Sequence, residues 1–225
     1  MLADELRNTV LHYARWAQKA GLIVWTQGNF SARDPQSGLI AITPSGMDRD
    51  KCQLGDVVIV DLAGKIVDGE RKPSSEVLLH CTVYAHREDV NGIAHTHSVY
   101  ATAFAVVGRG IPAITSQLAE AAGDLVPVVP NIRDRTELGN AVVETMAGRS
   151  ACLLANHGLI AVGRTLEAAF STAWQVEDVA HVYAVALQVG EPKTLPHEDA
   201  LRIREFFLTQ YGQQGAKKVS GKGVY

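Results

Sequence analysis

The chain has 225 residues, of which 47% are hydrophobic and 20% charged, and its formal net charge is −3. That is enough apolar material for one large buried core or two small ones, without the basic excess that tracks phosphate backbones or anionic lipid. Nucleic acid and membrane are therefore excluded as expected partners.

The start, Met1-Leu-Ala-Asp-Glu-Leu-Arg7, is charged where a signal peptide would be apolar, and no apolar run reaches the roughly 18 residues of a membrane helix. A soluble cytoplasmic protein is the expectation. Cys52, Cys81 and Cys152 are odd in number and far apart, which fits buried thiols in a reducing compartment better than disulfides or a zinc knuckle.

In chain order, Leu6, Val10, Tyr13, Ala17 and Ala20 keep helical spacing, with Gly21 as a stop. Thr26-Gln-Gly-Asn-Phe-Ser31 reads as a loop. Leu39–Thr43 and Val57–Leu62 are Ile/Val-rich runs bounded by Pro, Ser and Gly, as buried strands are, and a second loop, Thr43-Pro-Ser-Gly-Met47, follows the first run. Pro73-Ser-Ser-Glu-Val-Leu-Leu-His80 opens a helix. Strands are predicted at Gly92–His97 and Ala151–Asn156, and helices at Ser98–Val107, Arg135–Met146 and Thr165–Val189. The alternation implies an α/β or α+β fold, a central sheet covered by helices. Residues 1–212 read as one domain and 213–225 as a small, polar, basic, flexible tail.

Residues two apart on a strand point to one side, so His95 and His97 would aim their imidazoles into one space. His157, in Ala155-Asn-His-Gly158, sits where a strand ends in a tight turn. Three neutral imidazoles leave a fourth position open on zinc, the arrangement of catalytic rather than structural sites. An isolated H-x-H is also ordinary surface or core chemistry. Glu76 has two readings as well, a carboxylate beside the imidazoles or a favourable charge at a helix N-terminus. Ser74 and Ser75 are either helix caps or phosphate contacts at that N-terminus. The loops holding Gly28–Asn29 and Ser45–Gly46 suit an anion, because glycine lets backbone N–H groups approach a ligand, though turns favour the same residues.

Five segments in order, Gly28-Asn-Phe-Ser31, Thr43-Pro-Ser-Gly46, Lys72-Pro-Ser-Ser-Glu76, His95-Thr-His97 and Ala155-Asn-His-Gly158, resemble the class II aldolase and adducin head-domain family from the first helix to about residue 214. The resemblance implies a three-layer α/β (α+β) fold with a mostly antiparallel central sheet flanked by helices. It implies Zn2+, one per subunit, held by His95, His97, His157 and a resting Glu76, although Mn2+, Co2+ or Fe2+ would suit these ligands too. Gly28, Asn29, Ser45, Gly46, Ser74 and Ser75 would surround the phosphate of a sugar substrate. Glu76 would then act as the catalytic base of a reversible aldol cleavage that yields dihydroxyacetone phosphate and an aldehyde.

The sequence departs from the fuculose-phosphate aldolase pattern at Ser116, where those enzymes carry a tyrosine. The missing acid is sought in Glu120, which falls near a catalytic aspartate of the family's 4-epimerases, and in Tyr211, which resembles a C-terminal tyrosine of the aldolases. Glu120 reads equally well as a solvent-facing acid on an Ala-rich helix. The family assembles as homotetramers with sites between subunits, so both could serve a neighbour's site. The same metal site hosts 4-epimerisation, decarboxylation of a 3-oxo sugar acid phosphate and dehydration of methylthioribulose 1-phosphate elsewhere in the family, and adducin-type members are non-catalytic scaffolds.

Overall fold

The structure, a computed structural model, describes residues 2–210. Helix α1 (Leu2–Lys19) precedes a run of four strands, β1 (Asn29–Arg33), β2 (Ile40–Ile42), β3 (Val58–Val60) and β4 (Ile66–Asp68). Then follow α2 (Val77–His86), β5 (Gly92–Thr96), α3 (Val99–Val106), β6 (Ile111–Pro112), α4 (Ser116–Ala122), β7 (Leu125–Val126) and β8 (Val128–Val129). The chain continues through α5 (Arg135–Met146), β9 (Ala151–Leu154), β10 (Gly158–Gly163), α6 (Leu166–Val189) and α7 (His197–Thr209).

Eight strands form one sheet in the order β4-β3-β2-β1-β5-β10-β9-β8, while β6 and β7 pair separately. Every pairing in the large sheet is antiparallel except β8 with β9. The expected architecture, a mostly antiparallel sheet between helical layers, is the one observed.

Strand side chains alternate between two buried clusters, which is why these strands read as continuous apolar runs. Ile40, Ile42, Val58, Val60, Ile93, Cys152, Ile160 and Val162 face α2 and α5, where Leu79, Val83, Leu138 and Val142 meet them. Ala41, Ile59, Ala94, Leu153, Leu159 and Ala161 face the other way, toward Val10, Ala14, Phe104, Phe170 and Val176 on α1, α3 and α6. Each aliphatic side chain of Val or Ile size so buried stabilises the fold by roughly 1.5–3 kcal/mol. Helix α7 lies outside, against α4. The three cysteines are free and buried, as expected.

The predicted helix at Arg135–Met146 matches α5 residue for residue, because Asp134 accepts the N–H groups of Thr136 and Glu137 and marks its start. The segment read as a loop at 26–31 is half strand: β1 starts at Asn29 and pairs with β2 and β5. Its alternation is hidden because Asn29 and Ser31 are polar yet buried, engaged in hydrogen bonds. The hairpin partner β10 also escaped prediction: the sequence marks the tight turn after His157, but the apolar run that follows it is not among the predicted strands. Residues 213–225 lie outside the described residues.

Candidate metal centre and substrate cleft

Three elements converge at the centre of the sheet. His95 is on β5, opposite Asn29 of β1 on one side and Ile160 of β10 on the other. His97 follows one residue after that strand ends, and His157 closes the turn between β9 and β10. Gly158 must be glycine for this turn to pack, because a Cβ there would lie 2.4 Å from the Thr96 carbonyl oxygen and 3.1 Å from the His97 ring. Gly28 is under the same demand on the other flank. Its φ is +66°, and a Cβ would meet the His95 carbonyl oxygen at 2.7 Å.

The metal-binding atoms of the three histidines all lie within 4.8 Å of one another. His97 Nε2 is 3.0 Å, and His157 Nε2 3.3 Å, from His95 Nε2. Glu76 completes the group with Oε2 at 3.2 Å from His95 Nε2 and Oε1 at 3.7 Å from His157 Nε2. A tetrahedral ion with arms of about 2.0–2.1 Å needs ligand atoms roughly 3.3–3.4 Å apart, so these donors fit a zinc-sized ion. His95 Nδ1 is 2.9 Å from the Leu159 carbonyl oxygen and must carry its proton there. That leaves Nε2 as a lone pair facing the other two rings, the usual outer support of a metal-binding histidine.

Burial lowers the pKa of all three imidazoles, so they are neutral at neutral pH, the form that binds a metal. Burial works the other way on Glu76, but His95 in its protonated form, the Asn29 amide, protonated His157 and Arg135 together outweigh it and hold the carboxyl well below its usual range. Oε2 accepts a hydrogen bond from Asn29 Nδ2 at 2.9 Å, whereas Oε1 is buried without one. Arg135 Nη1 stands 3.4 Å from Oε1.

Beside this group lies a cleft of about 180 Å3, lined by Gly28, Asn29, Ser45, Gly46, Ser74, Ser75 and Glu76 together with Thr26, Arg49, His97, Arg135 and His157. All the phosphate residues implied by the resemblance thus line one space together with Glu76, His97 and His157. Ser75, Ser45 and Gly46 are exposed. Ser74 is buried, and its Oγ accepts the Glu76 N–H at 3.2 Å. The Asn29 amide is engaged with Glu76 and His80. A second cavity of about 330 Å3, bounded by Ile132, Arg133, Leu138, Leu154 and Asn156, shares Arg135 and His157 with the first.

Glu120 lies on α4, half-buried, with its carbonyl oxygen bonded by Arg204, and does not line this cleft. Tyr211 lies outside the described residues. Arg49, Arg135 and His80 escaped the sequence reading. His80 had a signal, since it stands four residues after Glu76 and so shares its helix face. Arg49 had none, because nothing in Asp48-Arg-Asp50 announces a buried guanidinium.

The model of the Class II Aldolase and Adducin N-terminal domain matches residues 8–184. The 5-deoxy-D-ribulose 1-phosphate aldolase of Bacillus thuringiensis serovar kurstaki is 40% identical over 215 residues, 95% of this chain and all of that one. The 5-methylthioribulose-1-phosphate/5-deoxyribulose-1-phosphate aldolase of Rhodospirillum rubrum is 41% identical over 208 residues, 92% of each. Among solved structures, an L-fuculose 1-phosphate aldolase superposes with a TM-score of 0.87 at 36% identity, over 91% of this chain and 96% of the other. The chain therefore belongs to the class II aldolase and adducin N-terminal domain family and is an enzyme of its aldolase class.

Proposed function

We propose that the protein is a zinc-dependent aldolase that reversibly cleaves a ketose 1-phosphate, of the 5-deoxyribulose, 5-methylthioribulose or L-fuculose type, to dihydroxyacetone phosphate and an aldehyde. The observation that carries this reading is the cluster of Glu76 and three neutral histidines, of which Glu76, His97 and His157 line a cleft walled by Ser and Gly loops and His95 lies buried behind them. The substrates named for the relatives, ketoses carrying a 1-phosphate, supply the chemical class.

A bound zinc would act as a Lewis acid toward the negative charge that develops when the carbon–carbon bond breaks. The protein's own groups do the rest. The cleft loops hold the phosphate and so fix the reacting carbons in register, an entropic contribution to rate. With Oε2 tied to Asn29, Glu76 presents Oε1, which accepts no hydrogen bond and has Arg135 Nη1 at 3.4 Å, as its basic oxygen. In condensation Oε1 takes a proton from the hydroxymethyl carbon of dihydroxyacetone phosphate; in cleavage it returns that proton to the carbon released by the broken bond. The proton of the cleaved carbinol goes to a second group, for which the resemblance offers Glu120 or Tyr211 of a neighbouring subunit. The adjacent cavity gives room for the aldehyde half. Exposed apolar residues on α3 and α6, Val99, Val106, Val182, Val185 and Val189, support assembly into a homotetramer. We place the enzyme in the cytoplasm, in keeping with three free cysteines.

The test is release of dihydroxyacetone phosphate from a panel of ketose 1-phosphates by the protein as purified, after chelation, and after zinc is restored. Release that tracks zinc supports the reading, and the preferred ketose names the substrate. No release from any ketose by zinc-loaded protein refutes it.

A further inference from the structure

Arg49 is 2% exposed, the largest of the fully buried side chains, yet among the described residues it makes no ion pair. Its guanidinium donates instead to four main-chain carbonyls: Nη1 to Pro44 at 3.1 Å and Met47 at 2.9 Å, Nη2 to Thr26 at 3.2 Å and Gly28 at 2.6 Å. The fifth donor, on Nε, is buried without a partner. The neighbouring acid Asp48 is taken up elsewhere, accepting from Gln18 and from the Asp50 N–H.

These four carbonyls belong to the two loops that wall the cleft. One side chain, planar and forked, thus ties the 26–28 loop to the 44–47 loop. Of the two arginines lining the cleft, Arg135 stands beside Glu76, whereas Arg49 makes no salt bridge among the described residues and feels Asp48 only through space. A buried charge whose hydrogen bonds all go to neutral carbonyls is expensive, and the cost falls when an anion occupies the space in front of it.

We propose that Arg49 is the counter-charge of the substrate phosphate and the clamp that holds both phosphate loops in register, so that it sets the cleft's preference for a dianionic phosphate over an uncharged hydroxyl. This rests on the reading that a phosphate occupies the cleft. It assigns a specificity role to a residue outside the Ser/Gly segments and away from the metal ligands.

The test compares wild type, Arg49→Met and Arg49→Lys as metal-loaded full chains, each checked for folding by circular dichroism and thermal melting. Inorganic phosphate is titrated into each by calorimetry at pH 8, where the dianion dominates. Arg49→Met should bind phosphate at least about tenfold more weakly. Lysine keeps the charge but not the fork, so Arg49→Lys should fall between the two, roughly threefold or more below wild type. In turnover, Arg49→Met should raise KM for the ketose 1-phosphate more than it lowers kcat, and should lose most of the kcat/KM advantage of the phosphorylated over the unphosphorylated ketose. A purely structural residue would depress both substrates alike. Wild-type affinity in folded Arg49→Met overturns the proposal. If that variant fails to fold, Arg49→Lys carries the test, and parity with wild type overturns it. A wild-type protein that binds no phosphate at millimolar concentration also overturns it. Phosphate binding that depends on Arg49, in a protein that releases no dihydroxyacetone phosphate, would sustain this inference while refuting the aldolase reading.

Discussion

His80 Nε2 lies 2.5 Å from Asn29 Oδ1, and this contact fixes the direction of a buried hydrogen-bond chain that ends on Glu76. Glu76 Oε2 is a carboxylate oxygen and can only accept, so Asn29 gives it Nδ2–H and turns Oδ1 to His80. His80 must then donate from Nε2, which leaves Nδ1 to accept from Ser31 Oγ at 2.6 Å. Tyr84 closes the chain, 2.8 Å from Ser31 Oγ and donating to the Ser31 carbonyl oxygen at 3.0 Å. Two periodicities make this possible. Glu76, His80 and Tyr84 recur every four residues along the α2 segment, rising about 6 Å per step, and Asn29 and Ser31 recur every two along β1, rising about 6.6 Å.

His80 is therefore expected to position the base. His80→Leu leaves Asn29 Oδ1 without its donor in the core and Ser31 Oγ with Tyr84 as its remaining partner, destabilising the fold by about 1–3 kcal/mol. It should also lower kcat by roughly 10- to 100-fold with little change in KM, because Oε2 loses its fixed donor while the phosphate loops stay intact. His80→Gln, which can still donate to Asn29, should recover much of kcat. Equal kcat losses in both variants would reduce His80 to a packing residue.

Burial lowers the His80 pKa to about 3, from an ordinary value of 6.5. The unfolded chain takes up this proton near pH 6.5 and the folded chain does not until about pH 3. The contribution to stability is thus fully present above the unfolded value and lost as pH falls through this window, at about 1.4 kcal/mol per pH unit. Urea unfolding at pH 6.5 and 5.5, with chelator present, should show wild type losing about 1 kcal/mol more than His80→Gln, less than the full slope because the unfolded histidine is already half-protonated at pH 6.5. Parallel losses would show that His80 is not buried neutral.

Ala147 closes α5 with φ 45° and ψ 48°, the left-handed region, at an exposed position. A Cβ there costs about 1–2 kcal/mol, partly offset by the greater freedom glycine has when unfolded. Ala147→Gly should raise unfolding free energy by roughly 0.5–1 kcal/mol without touching activity. A loss of stability would mean that the alanine methyl makes a contact worth more than the strain.

What was legible in the sequence was whatever a single segment decides alone. Helix α5 carries its own cap at Asp134, and His95 and His97 announce a shared space by spacing. The roles of Asn29 and Ser31 were hidden because they depend on partners some fifty residues away, and a polar residue in a buried strand imitates a loop. Arg49 was hidden for a different reason: its four acceptors are carbonyls, which carry no side-chain signature. Ser74 illustrates the opposite error: it reads as a helix cap, yet α2 starts only at Val77 and its hydroxyl serves the Glu76 N–H.

The last prediction separates holding the metal from moving the proton. His95 and His157 have their coordinating nitrogens 3.3 Å apart, so removing either leaves two imidazoles and one acid. His95→Ala and His157→Ala should lose both bound metal and turnover, and for the fully buried His95 a loss of stability should accompany them. Glu76→Gln keeps the side-chain shape and can still accept from Asn29 through its amide oxygen, while the three imidazoles remain. It should retain much of the metal by elemental analysis yet lose about 10²- to 10⁴-fold in kcat, the usual span for removal of a general base. If Glu76→Gln loses metal as completely as His157→Ala, the carboxylate is chiefly a ligand. If it keeps full turnover, the proton is moved by some other group and the assignment of Oε1 as the basic oxygen fails.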